Sequence, residues 1–234
     1  MVSIVIPVYQ SKHTLRSVVE EVLAQTESWI EDIEIILVDD HSQDGTRDLV
    51  RALVKQYAPV KAIYNETTCG QQETLLRGLN QASGEWLVTM DDDGQHPVSM
   101  LDDLLNSVKQ GYDLVYCVCS KPKEETWRRS GAMMRDMLFR QLYPFLGDLR
   151  VSSYRILTRS LHQCATKIPR KFTYLSCLYL QHRPRVGNIP MDYQKRLHGK
   201  SNYPSFALAL LLVKIAFWYG LAAKWNVIRK KKRL

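Results

Sequence analysis

Two clusters of adjacent carboxylates stand out in the sequence, Asp39-Asp40 and Asp91-Asp92-Asp93. Like charges packed together are costly unless a cation or hydrogen-bond donors compensate them, so the triplet asks for a metal ion. In extended or turning backbone, residues i and i+2 can face one side, which lets Asp91 and Asp93 share an ion while Asp92 points elsewhere. Gln95 continues the alternation with a neutral oxygen. Oxygen ligands of this kind select Mg²⁺ or Mn²⁺, which keep positions open for water and a substrate diphosphate. The competing reading is a solvated turn in which an aspartate caps the helix after Pro97. No GxGxxG follows the first strand and no GxxxxGK[ST] occurs anywhere. A nucleotide would therefore be held by a metal and by strand-end side chains.

The elements that must position these groups alternate. Ser3–Tyr9, Ile33–Val38, Val60–Tyr64, Trp86–Met90 and Asp113–Val118 are short apolar, β-branched-rich runs and are predicted strands. Between them, Leu15, Val18, Val19, Val22 and Leu23, then Leu49, Leu53 and Val54, then Leu75, Leu76, Leu79 and Ala82 recur at helical spacing. Pro97–Lys109 is a further predicted helix. Such βα alternation implies an α/β fold with a mostly parallel, twisted sheet and helices on both faces. In that architecture ligands bind at the carboxyl ends of strands, where Asp39-Asp40 and Asp91-Asp92-Asp93 fall. After residue 120 the alternation is lost: Glu124–Leu146 reads as a long amphipathic helix, Val151–Leu157 as a strand and Arg159–Lys167 as a short helix.

At 234 residues with 45% apolar content the chain can build a substantial core, which excludes a disordered or fibrous protein. Five cysteines without a CxxC pair suggest neither a disulfide framework nor a zinc site. The N-terminus lacks a basic, apolar and small-residue succession, so no secretory signal is read and the catalytic part is expected on the cytoplasmic side. The net charge of +8 hides an asymmetry: residues 1–118 hold 8 Lys/Arg against 19 Asp/Glu, and residues 119–234 hold 24 against 5. This suggests a metal on one side and phosphates or anionic lipid on the other, unless the two halves are simply solvated faces of opposite sign. Phe206–Ala223 is apolar except for Lys214, and Arg229-Lys230-Lys231-Lys232-Arg233 follows. An interfacial helix on an anionic leaflet, a marginal membrane span and a core helix with a solvated tail are all open for this segment.

Four motifs in order carry a resemblance: Ile6-Pro7-Val8-Tyr9; Val38-Asp39-Asp40-His41-Ser42-Gln43-Asp44-Gly45-Thr46; Gly70-Gln71-Gln72 with Gly78 and Ala82-Ser83-Gly84; and Met90-Asp91-Asp92-Asp93-Gly94-Gln95-His96-Pro97. Together they resemble glycosyltransferase family 2, and more narrowly the polyprenyl-phosphate and dolichyl-phosphate sugar transferases. The resemblance implies a GT-A type, Rossmann-like catalytic domain over 1–204, with a nucleotide-sugar and metal half (1–118), an acceptor half (119–204), and a C-terminal segment (205–234). It implies that Pro7, Tyr9, Asp39, Asp40, Asp91 and Asp92 line the nucleotide site. Asp91, Asp93 and Gln95 match a metal-binding D-x-D-x-Q pattern, with Asp93, Lys121 and Arg128 in catalytic positions. Lys121 stands where an Arg follows Ser in these enzymes, a phosphate contact without the bidentate fork. Trp127-Arg128-Arg129-Ser130 resembles an Arg-plus-Ser phosphate pair. Arg196-Leu197-His198-Gly199-Lys200-Ser201-Asn202-Tyr203 resembles an acceptor segment, in which Arg196, Lys200 and Ser201 match and Asn202 replaces a usual Lys.

Sugar transfer from a nucleoside diphosphate needs charge neutralisation on the leaving diphosphate, a nucleophile, and their alignment. A hydroxyl acceptor also needs a general base. Between Asp148 and Asp192 there is no Asp or Glu, but there are eight cations: Arg150, Arg155, Arg159, Lys167, Arg170, Lys171, Arg183 and Arg185. An anionic phosphate acceptor needs no base, only positive charge to hold it. The expectation is therefore transfer to a polyprenyl phosphate, with inversion as the resemblance implies, and with an anionic membrane surface or a membrane protein as partner and no nucleic acid. A saccharide hydroxyl acceptor, with Asp148 or Asp192 as base, is the alternative. A signalling receiver domain shares the order of Asp39-Asp40, Asp91 and Lys121, but its acidic pair would follow the first strand and the chain is about twice too long.

Overall fold

The computed structural model describes residues 1–29, 32–120, 126–167, 171–192, 194 and 208–220, with the backbone alone for 126–130. The β1 strand (Val2–Val8), α1 (Leu15–Thr26), β2 (Ile33–Asp39), α2 (Thr46–Gln56), β3 (Val60–Tyr64), α3 (Gln71–Gln81), β4 (Trp86–Thr89), α4 (Met100–Lys109) and β5 (Leu114–Cys119) follow the predicted alternation. They continue into α5 (Thr126–Leu142), a one-turn 3₁₀ helix (Pro144–Leu146), β6 (Arg155–Thr158), α6 (Arg159–Thr166), α7 (Leu175–Leu180) and β7 (Val186–Met191). A last helix, α8, covers residues 208–220.

The strands form one sheet in the order β3-β2-β1-β4-β6-β5-β7. All pairings are parallel except those of β6 with β4 and β5. Alternate side chains of each strand feed two cores. Ile4, Ile6, Val8, Ile35 and Leu37 pack with α1, α2 and α4 on one face. Val5, Ile36, Val38, Leu87 and Leu157 pack with α3, α5, α6, α7 and α8 on the other. Gly78 lets α3 sit close to the sheet, since a Cβ there would lie 2.7 Å from Val38 Cγ2. The α/β expectation holds, with local differences. The helix after Pro97 starts at Met100, because residues 97 to 99 form successive turns closed by the Met100 N–H donating to Pro97 O (3.2 Å) and the Leu101 N–H donating to Val98 O (3.0 Å). The strand read as Val151–Leu157 is Arg155–Thr158, and the long amphipathic helix breaks at Tyr143, ahead of Pro144. Both β7 and α7 went unanticipated.

Candidate functional site

The site opens where β1 outruns β4. The β1–β4 register ends at Val5↔Thr89, while β1 continues beside β2 to Val8↔Asp39. Strand order also reverses about β1 and β4, the crevice position at which open α/β sheets bind ligands. Met90 N–H donates to Val5 O (3.3 Å), so Val5 faces β4, and by alternation Pro7 and Tyr9 face the same side, beyond the last β4 residue. Pro7, which has no N–H, occupies a position where no β4 carbonyl lies opposite. The Tyr9 N–H instead donates to Asp92 Oδ2 (3.1 Å), and Ser11 Oγ donates to the same oxygen. Asp92 thus straps the end of β4 to the loop after β1. Burial pushes its carboxyl up to about 7, reinforced by the charges of Asp91 and Asp93 and opposed by the bonds from Ser11 and Tyr9.

Asp91 is held by three elements. Gln71 Nε2, at the start of α3, donates to its Oδ1 (2.7 Å), and Ser153 Oγ, ahead of β6, donates to its Oδ2 (3.2 Å). The Asp91 N–H donates to His96 Nδ1 (2.9 Å), which leaves the neutral ring's proton on Nε2, 3.6 Å from Asp91 Oδ2. The His96 ring is stacked on Tyr154 (4.7 Å between centroids), whose hydroxyl donates to Pro97 O (3.0 Å). Asp93 Oδ1 accepts from the Gln95 N–H (3.0 Å), turning the chain back toward the strand end.

At the end of β2, the buried Asp39 accepts from Arg47 Nε (2.7 Å) and the Ser42 N–H (3.2 Å), and Arg47 lies over the Tyr64 ring. Asp40 is committed to the neighbouring loop. Its Oδ1 accepts from Asn65 Nδ2 and the Cys69 N–H (both 2.9 Å), and its Oδ2 accepts from the Gly70 N–H (2.9 Å). Burial works against that carboxylate, but these donors outweigh it and hold its pKa below the ordinary value. By fixing Cys69 and Gly70, Asp40 sets the start of α3 and so the place of Gln71.

The structure therefore brings Pro7 and Tyr9 at the end of β1, Asp39 and Asp40 at the end of β2, and Asp91, Asp92, Asp93 and Gln95 after β4 to the same carboxyl edge of the sheet. Arg128 and Ser130 lie on the first turns of α5, of which only the backbone is described; Lys121, Arg196, Lys200 and Ser201 lie outside the described residues. Sequence reading did not give roles to Gln71, Ser11, Ser42 or Ser153. Gln71 and Ser42 had a signal, their places in the Gly70-Gln71-Gln72 motif and in the motif from Val38 to Thr46. The surplus of cations after residue 148 needs correction. Arg155 is buried against Ser176 Oγ (2.9 Å), Arg159 donates to the carbonyls of Gly84 and Ala82, and Arg150 donates to Cys119 O (2.9 Å). Arg183 and Arg185 lie over the rings of Phe145 and Tyr112. These five serve the fold, so their number is no measure of an acceptor site.

Among the described residues, no group of three or more His, Cys, Asp and Glu side chains is gathered as a metal cage. Mg²⁺ and Mn²⁺ do not require one, since one or two carboxylates with substrate phosphates and water suffice. Asp91 fits that donor set: its hydrogen bonds come from the neutral side chains of Gln71 and Ser153, and they orient it. No helix among the described residues is long and apolar enough to cross a membrane.

The family model described as Glycosyl transferase family 2 matches residues 3–167. Similar curated proteins include the undecaprenyl-phosphate 4-deoxy-4-formamido-L-arabinose transferases of Edwardsiella ictaluri and Yersinia enterocolitica. They are 27% identical over 218 residues and 29% identical over 217, each match covering 90% of this chain. The chain spans 65% of the length of these relatives. Among solved structures, glucosyl-3-phosphoglycerate synthase of Mycobacterium tuberculosis, with Mn²⁺, UDP-glucose and phosphoglyceric acid, is similar at a TM-score of 0.71 and 19% identity. That match covers 94% of this chain and 80% of the synthase. Mannosyl-3-phosphoglycerate synthase of Rubrobacter xylanophilus is similar at a TM-score of 0.70 and 18% identity, covering 100% of this chain and 75% of that one.

Proposed function

Because the chain belongs to glycosyl transferase family 2, we propose that it transfers a sugar from a nucleoside diphosphate to a polyprenyl phosphate, with inversion, at the cytoplasmic face of a membrane. The observation that supports the reading is that the loop carrying Asp91, Asp93 and Gln95 leaves β4 at the strand-order reversal, next to the β1 and β2 ends that carry Pro7, Tyr9 and Asp39. The relatives named for undecaprenyl phosphate support the acceptor class, and the Mn²⁺ and UDP-glucose of the synthase structure support the donor class.

In this reading Asp91, Asp93 and Gln95 hold Mg²⁺ or Mn²⁺, which when bound neutralises the leaving diphosphate. Gln71, Ser153 and His96 keep the Asp91 carboxylate turned to the opening. Asp92 ties the β1 and β4 ends together, Tyr9 borders the base, and the buried Asp39 anchors the nucleoside end through Arg47 and Ser42. Lys121, Arg128 and Ser130 receive phosphate oxygens, and Arg196, Lys200 and Ser201 hold the acceptor. A phosphate acceptor enters already ionised, so no proton need be removed. Since five of the second-half cations serve the fold, a saccharide hydroxyl remains the second reading. Product chemistry separates the two, because a sugar linked through phosphate to lipid is released by mild acid and withstands mild base.

The test is Asp93→Ala and Asp91→Ala, assayed for metal-dependent transfer from nucleoside-diphosphate sugars to short and long isoprenyl phosphates. Turnover should fall by roughly 10³-fold or more with the fold retained by circular dichroism. Wild-type turnover in either variant overturns the assignment.

A further inference from the structure

Helix α8 is apolar on every side. Ile215 and Tyr219 are buried in the second core with Leu211 packed against it, Leu212 is also buried, and the Tyr219 hydroxyl accepts from the Tyr174 N–H and donates to Phe172 O (both 3.0 Å). Its opposite face carries Leu210, Val213, Phe217 and Trp218, with Val213 64% and Phe217 58% exposed. Lys214 is the one charged residue between 208 and 220. A helix on the surface of a water-soluble domain keeps its outer face polar, so a helix apolar all round has a second apolar environment.

That face does not end at α8. Leu208 packs against Gly131 at one end and Gly220 against Leu142 at the other, so α8 and α5 run side by side in the same direction for roughly 16 Å. On its outward side α5 shows Met133, Met134 and Met137, 64%, 54% and 67% exposed, followed a turn later by Arg140, which pairs with Asp148. Flexible, polarisable methionines suit an irregular apolar partner. The two helices together make one apolar ledge.

We propose that this ledge is the surface on which the protein rests in the headgroup–acyl boundary of an anionic bilayer, α5 and α8 entering side by side. The inference rests on the lipid-phosphate reading and deepens it by naming the contact surface. Over their described residues neither helix is long and apolar enough to cross, and a helix with an apolar face can lie in the interface. Trp218 and Phe217 are side chains of the interfacial belt, and Lys214 can reach up to headgroup phosphates along its stem. The sequence after α8 closes on Arg229-Lys230-Lys231-Lys232-Arg233, five cations in succession. That charge selects an anionic leaflet over a second copy of this strongly basic half. Arg128 and Ser130, on the first turns of α5, then stand at the bilayer surface, where a lipid-borne phosphate is presented.

The test uses the full chain and flotation with phosphatidylcholine vesicles, with and without phosphatidylglycerol. Two variants are compared, Met133→Gln with Met137→Gln in α5, and Val213→Ser with Phe217→Ser in α8. Wild type should float with phosphatidylglycerol vesicles and bind neutral ones far less, and each variant should lose about tenfold in partitioning while keeping its circular dichroism. Partitioning of the α5 variant within about twofold of wild type overturns the joint ledge. Equal binding to both vesicle types overturns the anionic choice. A concentration-dependent dimer in sedimentation, lost in the variants while flotation persists, assigns the ledge to a second copy and also overturns it. Transfer to a short, water-soluble isoprenyl phosphate reads the chemistry without vesicles. Its absence with flotation intact defeats the transfer reading alone, and its presence without flotation defeats the ledge alone.

Discussion

Glu34 carries the most heavily bonded carboxylate at the end of the sheet remote from the site, and replacing it with Gln is a measurable perturbation. Its side chain is 3% exposed and accepts from Ser3 Oγ (2.6 Å), Lys61 Nζ (2.6 Å), the Ser83 N–H (2.5 Å) and Ser83 Oγ (3.2 Å). One residue thereby joins β1, β2, β3 and the turn before β4. Burial raises the pKa of such a carboxyl, but here Lys61 and the hydroxyl and amide donors outweigh it and hold it at about 2, against 4.5 for the free side chain. A folded-state pKa below the unfolded one means stabilisation that is complete above the unfolded value and lost as pH falls toward the folded value. The difference corresponds to about 3 kcal/mol, and solvent screening of the half-exposed Lys61 trims it toward about 2 kcal/mol. In urea unfolding followed by tryptophan fluorescence, Glu34→Gln should be less stable than wild type by that amount at neutral pH. The gap should narrow as pH falls from about 4.5 toward about 2. A gap that stays constant through that window would show packing, not charge, to be the cause. No gap at neutral pH would refute the assignment altogether.

Gly84→Ala should destabilise by about 2 kcal/mol or more, since the added Cβ would lie 2.7 Å from both N and Oγ of Ser3 and 2.9 Å from Met1 O. Because Ser3 Oγ also serves Glu34, its effect and that of Glu34→Gln should fall short of adding in a double-variant cycle. His162 is buried between Tyr179 Oη and Asn80 Oδ1 (both 3.0 Å), and burial, helped by Arg155 and Arg159, lowers its pKa to about 4. Protonation thus favours the unfolded chain, and up to about 3 kcal/mol is lost as pH falls from about 6.5 toward 4; thermal melts of His162→Gln should be flatter over that range. Gln71→Ala, which removes the 2.7 Å bond to Asp91, should weaken Mn²⁺ binding about 10- to 100-fold in a spin-resonance titration while the fold persists. Unchanged affinity would detach Gln71 from the metal reading.

How much of this was legible in the sequence depends on whether the signal is local. The strands β1 to β5 and the helices between them are short, apolar and periodic, and each declares itself within its own residues. By contrast, β7 is an edge strand that contains Gly187, Asn188 and Pro190, residues a central strand would exclude, so its composition reads as loop. The six residues of α7 are all buried, and a short apolar run without an exposed face has no helical period to read. The insertion of β6 between β4 and β5, antiparallel to both, is a long-range outcome with no trace in residues 151–158. The same limit applies to the site. Asp91 could be read from its neighbours, but Gln71 and Ser153 meet it from 20 and 62 residues away, as single polar residues at element ends.

Backbone conformation supplies the remaining step between sequence and site. Gln10 and His41, the residues that turn the chain after β1 and β2, both adopt positive φ, 54° and 65°. Each lies where a strand must stop and leave its carboxyl end open; Gln rarely takes this conformation, and His takes it more readily but still uncommonly. Both are held from outside: the Gln10 N–H donates to Ser42 Oγ (3.0 Å), and the Ser42 N–H donates to Asp39 Oδ1 (3.2 Å). The Asp39 carboxylate thus fixes the loop after β2, which in turn fixes the loop after β1, and Asp92 completes the ring through Tyr9 and Ser11. Of the five aspartates in the two acidic clusters, Asp39, Asp40 and Asp92 are engaged in building the rim. The division of labour that i and i+2 spacing suggested for the triplet therefore extends to the pair after β2, and in the proposed reading Asp91 and Asp93 are the carboxylates that would meet an ion.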